Sequence, residues 1–441
     1  DNIEDLIAAI SLYRPGAMEN NFHNEYVSRK EGQKEVEYFT GTDKILNNTY
    51  GVFAYQEQIM QLCRELGGLS LVEADDVRKA MVKKKYEALQ QYKERFIPYY
   101  RDNYNVTQEY SEKVWDAIDK ASTYLFNRSH AAAYAITGYI SQWIKVHYPI
   151  EYWSVAFKYA MESDYSRYIA EINKTGVCTV RPVDINISDT DVVINFKEKA
   201  LYWSITGVKQ VAEKAATQII KERTENGQYW SLDDFITRHK WKGSAVNSRI
   251  IRNLILAGAF DSLEGVKKPQ ERIDLLVHFL GTTKGNVKED DPVLVGADFH
   301  ANDAWWWALL QKKVSGLAFF DYQKIYDRFA GEFPDAYEYA TLEECHDTEV
   351  KPNNVVLAGF IAEMEIKKTR KGDTMCRLIL EANYEFIEIV IFQQEYEQLE
   401  PLLSCGRANL ILINGILSYD NRKEVNTLRA CFESNIVTLT L

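Results

Sequence analysis

What the chain lacks narrows it first. No stretch approaches the ~18 consecutive apolar residues that a membrane-spanning helix requires. The opening residues, DNIEDLIAAI, are acidic and amphipathic, unlike a secretory signal. Six cysteines (Cys63, Cys178, Cys345, Cys376, Cys405 and Cys431) are scattered without a C-x-x-C pair. That spacing argues against a zinc site and a disulfide framework, and points to a reducing cytoplasm. No repeat of roughly 20–50 residues runs along the chain, apart from a candidate pair of helical hairpins. Excess positive charge is missing too. A net charge of -12 disfavours nonspecific nucleic-acid binding by the whole surface, yet leaves room for a local basic groove.

Such a groove has a candidate. From Arg78 to Arg95 there are seven basic residues and two acidic ones. The chain is 441 residues long and 46% hydrophobic, which fits a globular protein of roughly three domains. Residues 1–185 read as mostly helical, with apolar residues at helical spacing in Val114, Trp115, Ala117 and Ile118 and again in Tyr139, Ile140, Trp143 and Ile144. Pro15-Gly16 and Thr49-Tyr50-Gly51 read as turns. Residues 186–265 begin with two short strand-like runs, VVINF and ALYWSI, and then turn helical. Residues 266–350 are irregular, with a helix expected around residues 305–311. From residue 351 the pattern switches to period two, with strands at VVLAGFIAEMEI, TMCRLILEA, FIEIVIF, NLILINGILSY and VNTLRACF. The helix-like EYEQLEPLLS falls between the third and fourth. Five strands with a helix after the third is the order of an OB-fold. The expected fold class is therefore multidomain: mainly α, followed by a β-barrel OB-fold.

The most informative run is residues 126–149, FNRSHAAAYAITGYISQWIKVHYP. It sets Asn127, Arg128, Ser129 and His130 at the mouth of a helix. The small residues Ala131, Ala132, Ala133 and Ala135 leave one face low enough for close packing. Free N–H groups and the positive dipole end favour phosphate there, helped by Arg128 and His130. The plainer reading is a capped core helix with Ser129 as N-cap and His130 on the surface.

FNRSHAAAYA followed by WIKVHYPIEYW resembles the fingers of the bacterial C-family replicative DNA polymerases, the DNA polymerase III alpha subunits. LYRPGAM (residues 12–18), TYGVFAYQEQIMQ (49–61), ADDVRKAMVKKK (74–85) and RPVDIN (181–186) resemble further motifs of that family in the same order. The resemblance implies that the Arg78-Lys79 pair contacts the triphosphate of an incoming deoxynucleotide, where the family has two arginines. Lys83 adds charge, and Lys85 joins Arg78 and Met81 near one helix face. Read by charge alone, the same helix is a solvated basic face. The Y-Q-E-Q segment, residues 55–58, lines the family's fingers; read alone it is a polar helix start. Tyr55 and Tyr134 offer flat faces for a base. Arg14 either reaches a phosphate or caps a helix.

Residues 201–223 resemble the family's helix-hairpin-helix, whose tight turn presents N–H groups to the DNA backbone. The family's G-V-G is Gln210-Val211-Ala212 here, which puts phosphate binding at that turn in doubt. In the second half, residues 246–263, Arg249, Arg252 and Gly258 form the DNA-facing set; the alternative is a helical scaffold without DNA contact. The family's clamp-binding peptide has its nearest counterpart in Ala297, Asp298 and Phe299, without the family's Gln; the alternative is an ordinary loop. Residues 305–307, WWW, read as a docking patch onto the helical body. Lys367, Lys368, Arg370 and Lys371 form a basic loop of the OB-like region, whose acidic strands leave single-stranded DNA binding weak or nil.

The resulting domain expectation is fingers over 1–185, tandem helix-hairpin-helix and clamp-binding over 186–265, a linker with helical extension over 266–350, and an OB domain over 351–441. In the family, a palm carrying the carboxylates that hold catalytic Mg2+ precedes the R-P-G motif. The chain is thus expected to be the carboxy-terminal part of a polymerase, excised or naturally truncated. It holds no cofactor itself and is inactive alone. The implied partners are primer-template DNA, dNTP, the sliding clamp and other replisome subunits, with no membrane. The alternative is a noncatalytic replication scaffold or a module that tethers DNA or the clamp.

Overall fold

The computed structural model describes residues 2–83, 86–122, 124–266, 269–282, 304–317, 338–339, 345, 354–369, 372–382, 385–403, 410–420, 425–430 and 437–439. They divide into two compact units, Asp1–His147 and Tyr148–Leu441. Among the described residues no helix is long and apolar enough to cross a membrane. Among the described residues Cys63, Cys178 and Cys376 are free thiols, buried as Cys345 is.

The first unit is helical: α1 (Ile3–Leu12), α2 (Pro15–Glu19), α3 (Phe22–Lys30), α4 (Asp43–Leu46), α5 (Gln56–Glu65), α6 (Leu71–Val82), α7 (Tyr86–Tyr104), α8 (Gln108–Ser122) and α9 (Arg128–His147). Local chemistry sets several starts. Asn2 and Asp5 exchange side-chain and backbone bonds at the mouth of α1, at 3.0 and 3.2 Å. Ser70 and Glu73 do the same for α6, at 3.3 and 2.8 Å. Pro15 stands in the first turn of α2, where its missing N–H costs nothing. The Thr49-Tyr50-Gly51 turn needs its glycine. Gly51 has φ +77, and a Cβ there would lie 2.6 Å from the Glu37 carbonyl oxygen.

Two cores hold this unit. Ile59, Leu62, Phe96, Tyr100 and Trp115, from α5, α7 and α8, share one, each side chain contributing about 2 kcal/mol of burial. Ile7, Ala8 and Leu12 of α1 share the other with Tyr55, Ala131 and Ala135. The low face of α9 is therefore covered by α1. Only Ala131 and Ala135 of its alanines are buried; Ala133 is exposed.

The second unit begins with α10 (Pro149–Tyr159) and α11 (Tyr165–Thr175), followed by β1 (Thr179–Arg181), β2 (Val193–Asn195) and β3 (Ala200–Tyr202) in a small sheet of order β1-β3-β2. Phe157 and Tyr165 pack edge-on to Trp203, with centroids 5.4 and 4.7 Å apart. Residues 148–185 thus pack with the later elements of the second unit, although the sequence groups them with the preceding helices. Then come α12 (Glu213–Asn226), α13 (Leu232–His239), α14 (Ser248–Ala257), α15 (Asp261–Glu264), α16 (Pro269–Thr282) and the helix Ala304–Ser315.

A second sheet comes next, with seven strands among the described residues: β4 (Glu338–Tyr339), β5 (Asn354–Lys368), β6 (Thr374–Ala382), β7 (Glu385–Phe392), β8 (Leu410–Asp420), β9 (Val425–Ala430) and β10 (Val437–Leu439). The five long strands fall where period-two patterning puts them, and the helix Gln393–Leu403 separates β7 from β8. The short strands β4 and β10 carry no such pattern. β5 pairs antiparallel with both β6 and β8, β6 with β7, β8 with β9, and β7 runs parallel to β9. Along β7, Ile387, Ile389 and Ile391 alternate inward as the pleat requires.

Trp306 is fully buried in one continuous core that joins Leu254 and Leu276 of the helices to Phe360 and Ile389 of the sheet. The docking role read from residues 305–307 thus falls to Trp306 as a core residue; the side chains of its two neighbours are outside the described ones.

Candidate nucleic-acid interface

In the first unit, a two-residue bridge brings distant motifs together. Tyr55 and Phe126 pair in parallel. The Gln56 N–H donates to the Phe126 carbonyl at 2.9 Å, and the Phe126 N–H donates to the Ala54 carbonyl at 3.1 Å. The starts of α5 and α9 consequently lie side by side. The three polar residues of Y-Q-E-Q divide their work. Gln58 is buried; its Oε1 accepts the Ala54 and Tyr55 N–H groups at 2.9 Å, and its Nε2 donates to Thr49 Oγ1 at 2.8 Å. Gln56 accepts from Arg78 Nη1 at 3.0 Å. Glu57 accepts the Arg128 N–H with both oxygens, at 3.1 and 3.0 Å.

The Arg78 side chain of α6 and the Arg128 backbone N–H of α9 thereby meet adjacent residues of one helix start. Both arginines are already paired. Asp75 takes Arg78 Nε at 2.9 Å and Lys79 Nζ at 2.6 Å. Lys79 and Arg78, in that order, hold the Asp75 carboxyl below its usual range. Arg128 Nη2 donates to both oxygens of Glu4 at 2.7 and 2.8 Å, which raises the guanidinium pKa. Lys83 caps the end of α6 and is exposed; Lys85 lies outside the described residues. Beside this edge is a cavity of about 470 Å³, lined by Tyr55, Glu57, Arg128 and Ser129 together with Lys44 and Asn48. Motif reading passed over Lys44 and Asn48, which stand in no cluster of charge.

Two details correct the reading of residues 126–149, and two more correct the readings of Tyr55 and Arg14. The N-cap is Asn127, not Ser129. Asn127 Oδ1 accepts the His130 N–H at 2.8 Å and the Ser129 hydroxyl at 2.6 Å. The N–H groups of Arg128, His130 and Ala131 all have acceptors within the chain, so the helix mouth is largely satisfied. Tyr55 is buried and cannot stack on a base; burial pushes its phenol up to about 12. Tyr134 remains available: it is 61% exposed, with the His130 ring 4.8 Å away. Arg14 is a tether rather than a phosphate ligand. It donates to the carbonyls of Ser11 and Tyr124 and lies over Phe126.

In the second unit, the first hairpin turn is engaged by its own fold. The Lys209 N–H donates to the Val314 carbonyl at 2.7 Å, the Lys209 carbonyl accepts from Asn253 at 2.7 Å, and Lys209 Nζ pairs with Glu162 at 3.1 Å. Gln210 holds φ +70 at the position of the family's first glycine. A left-handed backbone that glycine adopts without strain is held here by a glutamine.

The second hairpin is more open. Arg249 is exposed in the first turn of α14 and Arg252 is half-buried. Gly258 is buried and does not face outward: it ends α14 at φ +89, where a Cβ would meet Arg272 Nη2 at 2.7 Å. Its role is to let the Arg272–Asp261 pair close over the helix end. Sequence reading missed Lys240, Trp241 and Lys242, which stand exposed in the loop between α13 and α14. Their signal was K-W-K-G, an aromatic between two cations.

Lys367 and Lys368 end β5 rather than forming a loop, and Lys367 pairs with Glu365 at 2.7 Å. Arg370 and Lys371, and the clamp-peptide candidates Ala297, Asp298 and Phe299, lie outside the described residues. Among the described residues no group of three or more His, Cys, Asp or Glu side chains is placed to hold a metal ion.

Comparison with known proteins adds to this geometry. The model of the bacterial DNA polymerase III alpha subunit finger domain matches residues 1–104, and that of a helix-hairpin-helix motif matches residues 177–270. DNA polymerase III subunit alpha of Aquifex aeolicus is 30% identical over 438 residues, covering 96% of this chain and 35% of the relative. Its counterpart from Thermus aquaticus is 32% identical over 424 residues, covering 91% and 33%. That of Escherichia coli K12 is 26% identical over 448 residues, covering 96% and 37%. The chain spans about a third of the length of these curated relatives.

Proposed function

The chain belongs to the family of bacterial DNA polymerase III alpha subunits, matching their carboxy-terminal part, and from that premise we propose that it supplies nucleotide- and DNA-positioning surfaces of a replicative DNA-directed DNA polymerase. The first unit takes the triphosphate of the incoming dNTP. The observation that carries this is that the Arg78 guanidinium and the Arg128 backbone N–H, 50 positions apart, bond the neighbouring residues Gln56 and Glu57 at one helix start, while the Arg128 guanidinium bonds Glu4. A triphosphate needs several cations held together, and Arg78, Lys79, Lys83 and Arg128 are the candidates. Asn127, Ser129 and His130 shape that edge, and Tyr134 offers a face for the base.

The second unit guides primer-template DNA through the hairpin bearing Arg249 and Arg252. Its terminal strands form an OB barrel. The pairing β5-β6-β7-β9-β8, returning to β5, and the helix after the third long strand support that reading. A single patch with Lys367 paired to Glu365 favours weak binding of single-stranded DNA.

The reaction is nucleotidyl transfer, in which Mg2+ aligns the attacking hydroxyl and the leaving pyrophosphate. Glu4, Glu57 and Asp75 are each spent on a cation or a helix mouth, so this donor set does not suit Mg2+. We place the metal ions on parts of the polymerase outside these 441 residues. A cytoplasmic setting and contact with the sliding clamp and other replisome subunits belong to the same reading.

The test is Arg78→Ala in a whole polymerase carrying this chain. Loss of about 2–3 kcal/mol in kcat/KM for dNTP is expected, with DNA affinity kept. Unchanged nucleotide kinetics would remove the triphosphate assignment.

A further inference from the structure

The proposed triphosphate edge has a property that a simple basic pocket lacks: three of its four cations, Arg78, Lys79 and Arg128, are already matched by carboxylates. Glu57 sets both oxygens on the Arg128 N–H, the position a phosphate takes at a helix mouth. Glu4 sets both oxygens on the Arg128 guanidinium. Asp75 bridges Arg78 and Lys79. These three acids come from α1, α5 and α6, separate helices that the fold brings to one edge.

We propose that Glu4, Glu57 and Asp75 are place-holders for phosphate, so that a triphosphate enters by exchange with them and ligands of lower charge are turned away. The inference rests on the triphosphate reading above and deepens it. Exchange is feasible because the pairs are not sealed. The Arg128 and Glu4 side chains are 41% and 38% exposed, and those of Arg78 and Asp75 are 27% and 31% exposed. Ion pairs in contact with water are held weakly, so a denser anion displaces them readily.

Charge count then sets selectivity. Three carboxylates are displaced, and a triphosphate brings three or more negative charges to the vacated cations. A monophosphate cannot replace all three, and it also meets their repulsion. The neutral Gln56–Arg78 bond keeps Arg78 oriented when Asp75 lets go. On this reading Glu4, Glu57 and Asp75 determine specificity without touching the reacting atoms.

The experiment measures binding of dATP, dAMP and inorganic tripolyphosphate to the full chain, comparing wild type with Glu4→Gln, Glu57→Gln and Asp75→Asn. These amides keep the acceptor oxygen and remove the charge, and circular dichroism checks folding. Each is expected to tighten dAMP binding by about fivefold and to narrow the preference for dATP over dAMP. An unchanged or widened preference, with tripolyphosphate binding still abolished by Arg78→Ala, would overturn the place-holder idea alone. Tripolyphosphate binding that ignores both Arg78→Ala and Arg128→Ala, or that is absent from wild type and all three amide variants at millimolar ligand, would overturn the triphosphate reading itself.

Discussion

The helix edge of the first unit and the second hairpin of the second unit both present cations, but under opposite conditions. Arg78, Lys79 and Arg128 are held by Asp75 and Glu4. Lys240, Lys242 and Arg249 have no carboxylate pair among the described residues. The first arrangement trades raw affinity for selectivity, since a ligand must outcompete an internal anion. The second attracts any polyanion and is tuned by salt. On the proposed function this division has a use: nucleotides would be sorted at the first surface, and DNA held regardless of sequence at the second.

The comparison breaks most completely if the two surfaces suffice for chemistry. Given primed template, Mg2+ and dNTPs, the purified 441-residue chain is expected to extend no primer. Both surfaces position charge, and among the described residues neither gathers free carboxylates. Extension resolved on a gel, at a rate that follows the chain through its final purification step, would contradict that division.

A smaller effect concerns what props up the hairpin. His239 ends α13, immediately before the exposed loop. The Tyr229 hydroxyl donates to the Ile219 carbonyl at 2.9 Å, leaving its oxygen to accept from His239 Nε2 at 2.8 Å, while Gln218 Nε2 donates to His239 Nδ1. This network suits a neutral ring with its proton on Nε2. Burial pulls the His239 pKa from 6.5 down to about 4. The folded value lies below the unfolded one, so the stabilisation is complete above pH 6.5 and is lost as pH falls toward 4. A loss of about 2 kcal/mol is expected for the second unit, allowing for partial screening. Denaturant melts across that window should show it, and His239→Gln should flatten the slope.

The finest distinction is in salt response. Lys240→Gln combined with Lys242→Gln should weaken duplex binding about tenfold and reduce the log–log salt slope by roughly two. Nucleotide binding should be unaffected. Equal loss of both activities would mean the two surfaces are not separate in function.

Much of this was legible in the sequence, and the gaps have physical causes. Period-two alternation located all five long strands, because a pleat buries every second side chain. The β4 and β10 strands are too short to show alternation. The candidacy of Arg78 and Arg128 as phosphate ligands followed from family motifs. The partners of Arg128 did not, since Glu4 lies 124 positions from it and Glu57 lies 71 away. No local pattern encodes such pairs. Asn127 and Ser129 are both good caps; the bridge between Tyr55 and Phe126 decides between them by fixing where the chain enters α9. Tyr55 looked like a platform because aromatic residues are ambiguous until packing is known. Gly258 looked accessible for the same reason.

Trp306 carries a consequence for how the protein can be cut apart. Its indole sits at the junction of the hairpin helices, the helix Ala304–Ser315 and the terminal strands. The strands share that core, and Lys312 of the same helix lies over the Phe360 ring, so a fragment beginning at residue 351 is expected to bare Phe360 to water. The second unit should melt as one cooperative block, separate in calorimetry from the first, and truncation should succeed near residue 148 but fail near residue 351.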